Sequence, residues 1–276
     1  MKKGYLLLTF GGYYVEEAIN LVKMIRKTGD TLPVSVVCTE EDVPELEQSN
    51  LFDKIITHSF THPLYQTCTT SFEKFCLVPR LLFDTFLQYD ETIIVDTDML
   101  CQTNPCGVWD EVKSLDQCVV MTGQNISPDW HFGYNWEVSE KLGKNVPESH
   151  GGFFYINRLH KDLKNFFNLC INVYHNYDNY GLKRMFRGGR VDEPIFAIVN
   201  AHMGYKVLEF GESPVITFNY DDSVELPSKF QSFGKFGDKT NWKKLRDIPP
   251  FVHMFKPHRG EYFKLVDKIL NQQVYS

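Results

Sequence analysis

Short apolar runs alternate along the chain with longer segments whose apolar positions recur every three or four residues. That alternation is the mark of strands interleaved with amphipathic helices. The runs that read as strands cover residues 5–9, 33–38, 54–57, 92–95, 118–122, 152–157, 205–210 and 251–254. Helical spacing covers residues 15–27, where Ala18, Ile19, Val22 and Ile25 share a face, and residues 71–88, where Pro79 is expected to kink or split the helix. It covers 161–177, 193–202 and 261–271 as well. The pattern predicts an α/β fold, a mainly parallel, mixed central sheet flanked by helices. Residues 123–149, 178–191 and 211–250 read as irregular, and loops of that length in a compact domain are usually functional. In such sheets ligands sit beyond the carboxyl ends of the strands, so the chemistry is sought where each apolar run stops.

Composition narrows the function classes. The chain has 276 residues, enough for one large domain, with 29 Lys and Arg against 35 Asp and Glu for a net charge of −6. An acidic chain lacks the electrostatic footprint of a nucleic-acid binder, so no nucleic-acid partner is expected. No run of about 18 uncharged apolar residues appears, so no transmembrane segment is expected. Met1-Lys2-Lys3-Gly4 ahead of an apolar run resembles the start of a signal peptide, but the run is short and no small-residue cleavage site follows. The seven cysteines show no metal-ligand spacing and read as free thiols in a reducing, cytoplasmic compartment.

The strongest local signal is Thr92-Ile93-Ile94-Val95-Asp96-Thr97-Asp98-Met99-Leu100, an apolar strand ending in Asp-x-Asp. Residues i and i+2 of an extended chain point the same way, so both carboxylates are expected to converge just past the sheet edge. Two carboxylates that close repel unless a cation or a proton intervenes. A hard divalent ion, Mn²⁺ or Mg²⁺, is the natural partner. A solvated turn would carry the same residues.

Gln88-Tyr89-Asp90-Glu91 and the strand that follows it through Leu100 resemble the central motif of glycosyltransferase family 8, the glycogenin-like and lipopolysaccharide galactosyltransferases. The resemblance implies a single GT-A glycosyltransferase domain over residues 1–276, with a nucleotide-binding half (1–122) and a sugar- and acceptor-binding half (123–276). It implies that Asp96, Thr97 and Asp98 meet Mn²⁺ and the donor diphosphate.

Other segments follow the family's order. Thr9 and Tyr14 flank Phe10-Gly11-Gly12-Tyr13 with the spacing of the family's uracil-contacting pair, although a tight turn would serve as well. A dinucleotide fingerprint is excluded because Gly-x-Gly-x-x-Gly is absent. Arg80 and its rival Lys74 precede the motif where the family keeps a diphosphate-binding cation. Ser149-His150-Gly151-Gly152 resembles the Asn-(Ala/Ser)-Gly block at a strand entrance, which implies that His150, Gly151 and Gly152 meet the donor sugar. Here a His stands in place of the usual Asn. Arg190-Val191-Asp192-Glu193-Pro194 resembles the family's Asp-Gln-Asp segment and, more closely, the Asp-Glu-Ser segment of the family 6 blood-group enzymes. By that match Asp192 holds a sugar hydroxyl and Glu193 faces the anomeric carbon. Acidic residues and Pro194 equally suit a helix start. His253-Met254-Phe255-Lys256-Pro257 resembles a shortened His-x-x-Gly-x-x-Lys-Pro element, which implies His253 as third metal ligand and Lys256 as phosphate binder.

The expected function is therefore metal-dependent transfer of a sugar, UDP-linked by the family match, to a saccharide or glycoconjugate acceptor with retention. The acceptor is expected over residues 123–149, where Trp130, His131, Phe132, Tyr134 and Trp136 could stack on sugar rings. Two other classes use similar residues: a sugar-phosphate nucleotidyltransferase and a non-catalytic carbohydrate-binding protein.

Overall fold

The computed structural model describes residues 1–125, 135–209, 215–219, 250–255 and 259–271. The fold is mixed α/β, as the alternation predicts. Strands β1 (Lys3–Leu8), β2 (Val34–Cys38), β3 (Lys54–Thr57), β4 (Glu91–Val95), β6 (Val119–Gln124), β7 (Glu148–Asn157) and β8 (Leu208–Glu209) form a seven-stranded sheet in the order β3-β2-β1-β4-β7-β6-β8. The pairs β1–β2, β2–β3 and β6–β8 are parallel, and β6–β7 is antiparallel. A second sheet joins β5 (Met99–Cys101), β10 (Phe251–Phe255) and β9 (Val215–Asn219), with β10 in the centre. Among the described residues no helix is long and apolar enough to cross a membrane.

The chain divides into two compact units, each woven from three stretches. The first comprises Met1–Gly4, His58–Ile94 and Leu115–Glu209. Its core packs Phe83, Phe154, Phe166 and Phe196, with Phe154 edge-on to Phe83 at 5.2 Å and to Phe196 at 5.0 Å. These rings come from β7, α6 (Leu163–His175) and α7 (Asp192–Met203), together with the turn that follows α3 (Val78–Leu81). The helix expected over 71–88 is split, as Pro79 requires. A π-turn spans Glu73–Leu77, α3 is a single turn, and a 3₁₀ turn covers Phe83–Thr85. Proline has no N–H to donate and its ring crowds the carbonyl four residues back, so the regular ladder cannot pass it.

The second unit comprises Tyr5–Thr57, Val95–Ser114 and Phe210–Ser276. It contains α1 (Tyr13–Lys27), α2 (Val43–Ser49), α4 (Val108–Lys113) and α8 (Arg259–Asn271). Tyr5 lies at its centre, edge-on to Trp109 at 5.7 Å and donating its hydroxyl to Asp30 at 2.7 Å.

The periodicity misses α2, α4, β5 and β9, and it misses α5 (Asn135–Leu142) inside the stretch read as irregular. All are short, and β5 follows the Asp-x-Asp motif too closely to read as a separate run. The largest boundary error is at β7. It begins at Glu148 rather than Gly152, so the block expected at a strand entrance lies inside the strand.

Candidate functional site

In the second unit, β1 stops at Leu8 and the chain turns through Gly11 and Gly12, whose φ angles of 83° and 59° lie where only glycine is comfortable. The Gly11 N–H donates to Asp42 Oδ2 at 3.0 Å, and the same oxygen accepts from the Thr39 hydroxyl at 2.7 Å. Asp42 therefore staples the glycine loop to the end of β2. The Thr39-x-x-Asp42 spacing is a capping-box signal that sequence reading could have caught. Thr9 is buried, and its hydroxyl has no hydrogen-bond partner among the described residues. Tyr14 is exposed on the first turn of α1, with the Tyr13 hydroxyl 2.9 Å from its own.

Asp96 and Asp98 lie in the step from β4 to β5. They converge, but not through strand alternation. Residues 96–99 form a turn in which the Met99 N–H donates to the Asp96 carbonyl at 3.3 Å. The antiparallel pairing of β10 with β5 puts His253 opposite Met99, and the Met254 N–H donates to the Asp98 carbonyl at 3.2 Å. His253 Nε2 thereby comes to 3.1 Å from Asp98 Oδ1. One ligand atom from each of Asp96, Asp98 and His253 lies within 4.8 Å of the others. Two hard oxygens and an imidazole nitrogen, half-exposed on the acidic side and buried on the histidine, fit a divalent cation with open positions for water or phosphate. Thr97 is buried and donates its hydroxyl to Glu17 Oε2 at 3.1 Å. Lys256 lies outside the described residues, as do Trp130, His131, Phe132 and Tyr134.

A second constellation lies in the first unit. The Arg80 guanidinium pairs with Asp192, with Asp192 Oδ2 as acceptor of the Nη1–H, in a part-buried bridge. Asp192 opens α7, with Val191 as N-cap and Glu193 and Pro194 following in the first turn. In β7 the register slips: Met121 faces Phe154 while Thr122 faces His150, which leaves Gly151, Gly152 and Phe153 without opposite numbers on β6. The bulge takes the Gly151 N–H out of the ladder, and it donates to Glu193 Oε1 at 3.0 Å. The Gly152 N–H turns back to His150 Nδ1 at 3.2 Å, and His150 is buried. Arg80, Gly151, Asp192 and Glu193 are thus brought together. Lys74 is held elsewhere, its ammonium 5.1 Å from the Phe75 ring centre and 5.3 Å from that of Phe60.

The entry to α7 is locked from beneath by residues that sequence reading did not single out. Glu73, wholly buried in the π-turn, accepts from the Arg190 backbone at 2.7 Å and from Arg190 Nε at 2.8 Å. The Arg190 guanidinium also lies over the Tyr174 ring at 3.9 Å. The Tyr177 hydroxyl accepts from the Val191 N–H at 3.2 Å. No local motif announces these contacts, because their partners are more than 100 residues apart in the case of Glu73 and Arg190.

A side chain at position 151 is expected to break the constellation. A Cβ there would stand 2.7 Å from Arg80 Nη1, 2.8 Å from Asp192 Oδ2 and 3.3 Å from Glu193 Cγ. Gly151→Ala should force the ion pair apart at a cost of about 1–3 kcal/mol, read as a shift in the denaturant midpoint.

No protein-family model matches the sequence, and no curated protein does. The fold does have solved relatives. A galactosyltransferase, LgtC, in complex with donor and acceptor sugar analogs, aligns with a TM-score of 0.62 at 12% identity over 99% of this chain and 97% of its own. Mouse xyloside xylosyltransferase 1 aligns with a TM-score of 0.56 at 13% identity over 92% of this chain and 97% of its own. The bifunctional glycosyltransferase WbbM gives a TM-score of 0.65 at 12% identity, over 99% of this chain and 50% of that one. The chain has the GT-A fold that these glycosyltransferases share, the architecture that the family 8 resemblance implied.

Proposed function

We propose that this protein is a metal-dependent glycosyltransferase that moves a sugar from a UDP-sugar to a hydroxyl of a saccharide or glycoconjugate acceptor, with retention at the anomeric carbon. The observation that carries the reading is the convergence of Asp96, Asp98 and His253 ligand atoms within 4.8 Å of one another on a GT-A fold. An imidazole in the set favours Mn²⁺ over Mg²⁺. A cation held by these three residues would neutralise the charge that gathers on the diphosphate as its bond to the sugar breaks.

The chain's own residues take the remaining roles. Thr9 and Tyr14 receive the uracil, with the backbone of Thr97 beside the diphosphate. Arg80 is preferred to Lys74 as the cation on the diphosphate, because it shares a constellation with Glu193 and a planar guanidinium suits paired hydrogen bonds to phosphate oxygens. Lys256 adds a second positive charge. Asp192 accepts from a hydroxyl of the donor sugar against the backbone of His150, Gly151 and Gly152. Glu193 sets a carboxylate beside the anomeric carbon, where positive charge develops. Retention follows the family resemblance. Seven cysteines without metal-ligand spacing suit a reducing, cytoplasmic setting.

The test is incubation with a panel of nucleotide sugars and Mn²⁺. Slow release of nucleoside diphosphate from a UDP-sugar, stopped by EDTA, is the expected result. Release of pyrophosphate from a sugar phosphate and UTP would mark a nucleotidyltransferase instead. No turnover of any donor, with or without saccharide acceptors, would leave only sugar binding.

A further inference from the structure

Between the two candidate metal ligands, Thr97 is held by both its side chain and its carbonyl. The backbone carbonyls of residues 96, 97 and 98 are each tied to a different group. Met99 N–H donates to the first, the Tyr262 hydroxyl to the second at 3.3 Å, and Met254 N–H to the third. The Tyr262 hydroxyl also lies 3.5 Å from the Glu17 carbonyl, and the Glu17 carboxylate accepts from the Thr97 hydroxyl. Tyr262 is fully buried on α8 and Glu17 is buried on α1. Burial, with the neighbouring Glu17 and Asp98 charges, pushes the Tyr262 phenol well above its ordinary range, so it keeps the proton it donates.

Resting on the cation reading above, we infer that Tyr262 and Glu17 are positioning residues that fix the Asp96–Asp98 turn, so that both carboxylates stand ready for the cation. A turn carrying two like charges tends to open, since separation relieves their repulsion. Two of its three carbonyls are anchored by backbone N–H groups. The middle one depends on a single side-chain hydroxyl delivered by the last helix. The chain's C-terminal elements therefore supply both a ligand, His253 on β10, and the brace for the other two ligands, Tyr262 on α8. Groups that orient metal ligands without touching the ion typically change affinity by about 10–100-fold when removed.

The test is Mn²⁺ binding to the full chain, followed by loss of the free-ion EPR signal and needing no turnover. Tyr262→Phe and Thr97→Val are each expected to weaken Mn²⁺ binding by about tenfold or more. Val266→Ala, which trims another buried residue of α8, should lower thermal stability yet leave Mn²⁺ affinity within about twofold. Wild-type affinity in both Tyr262→Phe and Thr97→Val, with Asp98→Ala still weakened, would overturn the positioning role and leave the cation site standing. Equal weakening in Val266→Ala would overturn it too, by showing that any damage to α8 suffices. Absence of Mn²⁺ binding in the wild-type protein would overturn the cation reading itself.

Discussion

Asp98→Ala is expected to reduce Mn²⁺-dependent release of UDP by at least ~100-fold while leaving the fold intact. Losing one preorganised electrostatic group at a site of developing charge typically has an effect of that size. Stability should hardly change. Asp98 is 30% exposed, and its partner His253 remains seated in β10 by backbone pairing. A part-exposed hydrogen-bonding contact of this kind contributes about 1 kcal/mol, and its removal also relieves the repulsion from Asp96. The check is a pair of measurements on one preparation, UDP release with saturating Mn²⁺ and thermal unfolding with EDTA. A variant that loses activity only in step with its melting temperature would point to a structural role for Asp98.

Glu73→Ala is expected to have the largest effect on stability. Glu73 is wholly buried and holds the Arg190 guanidinium and backbone together, and Arg190 Nη2 also donates to the Thr67 carbonyl at 2.5 Å. Removing the carboxylate leaves a buried, uncompensated guanidinium, at a cost of about 3–5 kcal/mol. Because the clamp leads directly into Asp192 and Glu193, the same change should lower activity even in the molecules that remain folded. The effect has a pH signature. Burial alone would push the Glu73 carboxyl up, but hydrogen bonds from the Arg190 side chain, the Arg190 backbone and the Thr69 backbone outweigh it and hold the group below its ordinary value. A carboxyl depressed by folding stabilises the protein fully above its unfolded pKa, about 4.3, and that contribution fades as pH falls through the folded value. The gap in unfolding free energy between wild type and Glu73→Gln should thus be wide at pH 7 and narrow only as pH falls below the unfolded value of about 4.3. A gap independent of pH would mean that packing, not charge, accounts for the loss.

Much of this was legible in the sequence, for identifiable reasons. The apolar runs before Asp96 and around Val34–Cys38 are fully buried strands, and burial on both faces keeps them mostly apolar, with Ser35, Glu91 and Thr92 as the polar exceptions. Pro79 announced the broken helix because its chemistry allows little else. The Asp-x-Asp pair stood out by residue type and position and His253 was implied by the family resemblance, but their convergence comes from a turn at residues 96–99 and the β5–β10 pairing rather than from alternation. The bulge at Gly151 was invisible, since a slip in register between β6 and β7 depends on two strands at once. Glu17, Glu73 and Tyr262 were hidden for a related reason. Each is a lone polar residue on an apolar helix face or turn whose partner lies far along the chain, and periodicity carries no information about such partners.

The central claim is that Asp96, Asp98 and His253 share one cation with the donor diphosphate. Anomalous diffraction from crystals grown with MnCl₂ and UDP tests it most directly. One Mn²⁺ peak within coordination distance of all three side chains and of the pyrophosphate oxygens is the expected result. A peak bound only to UDP, with both aspartates turned away from it, would contradict it.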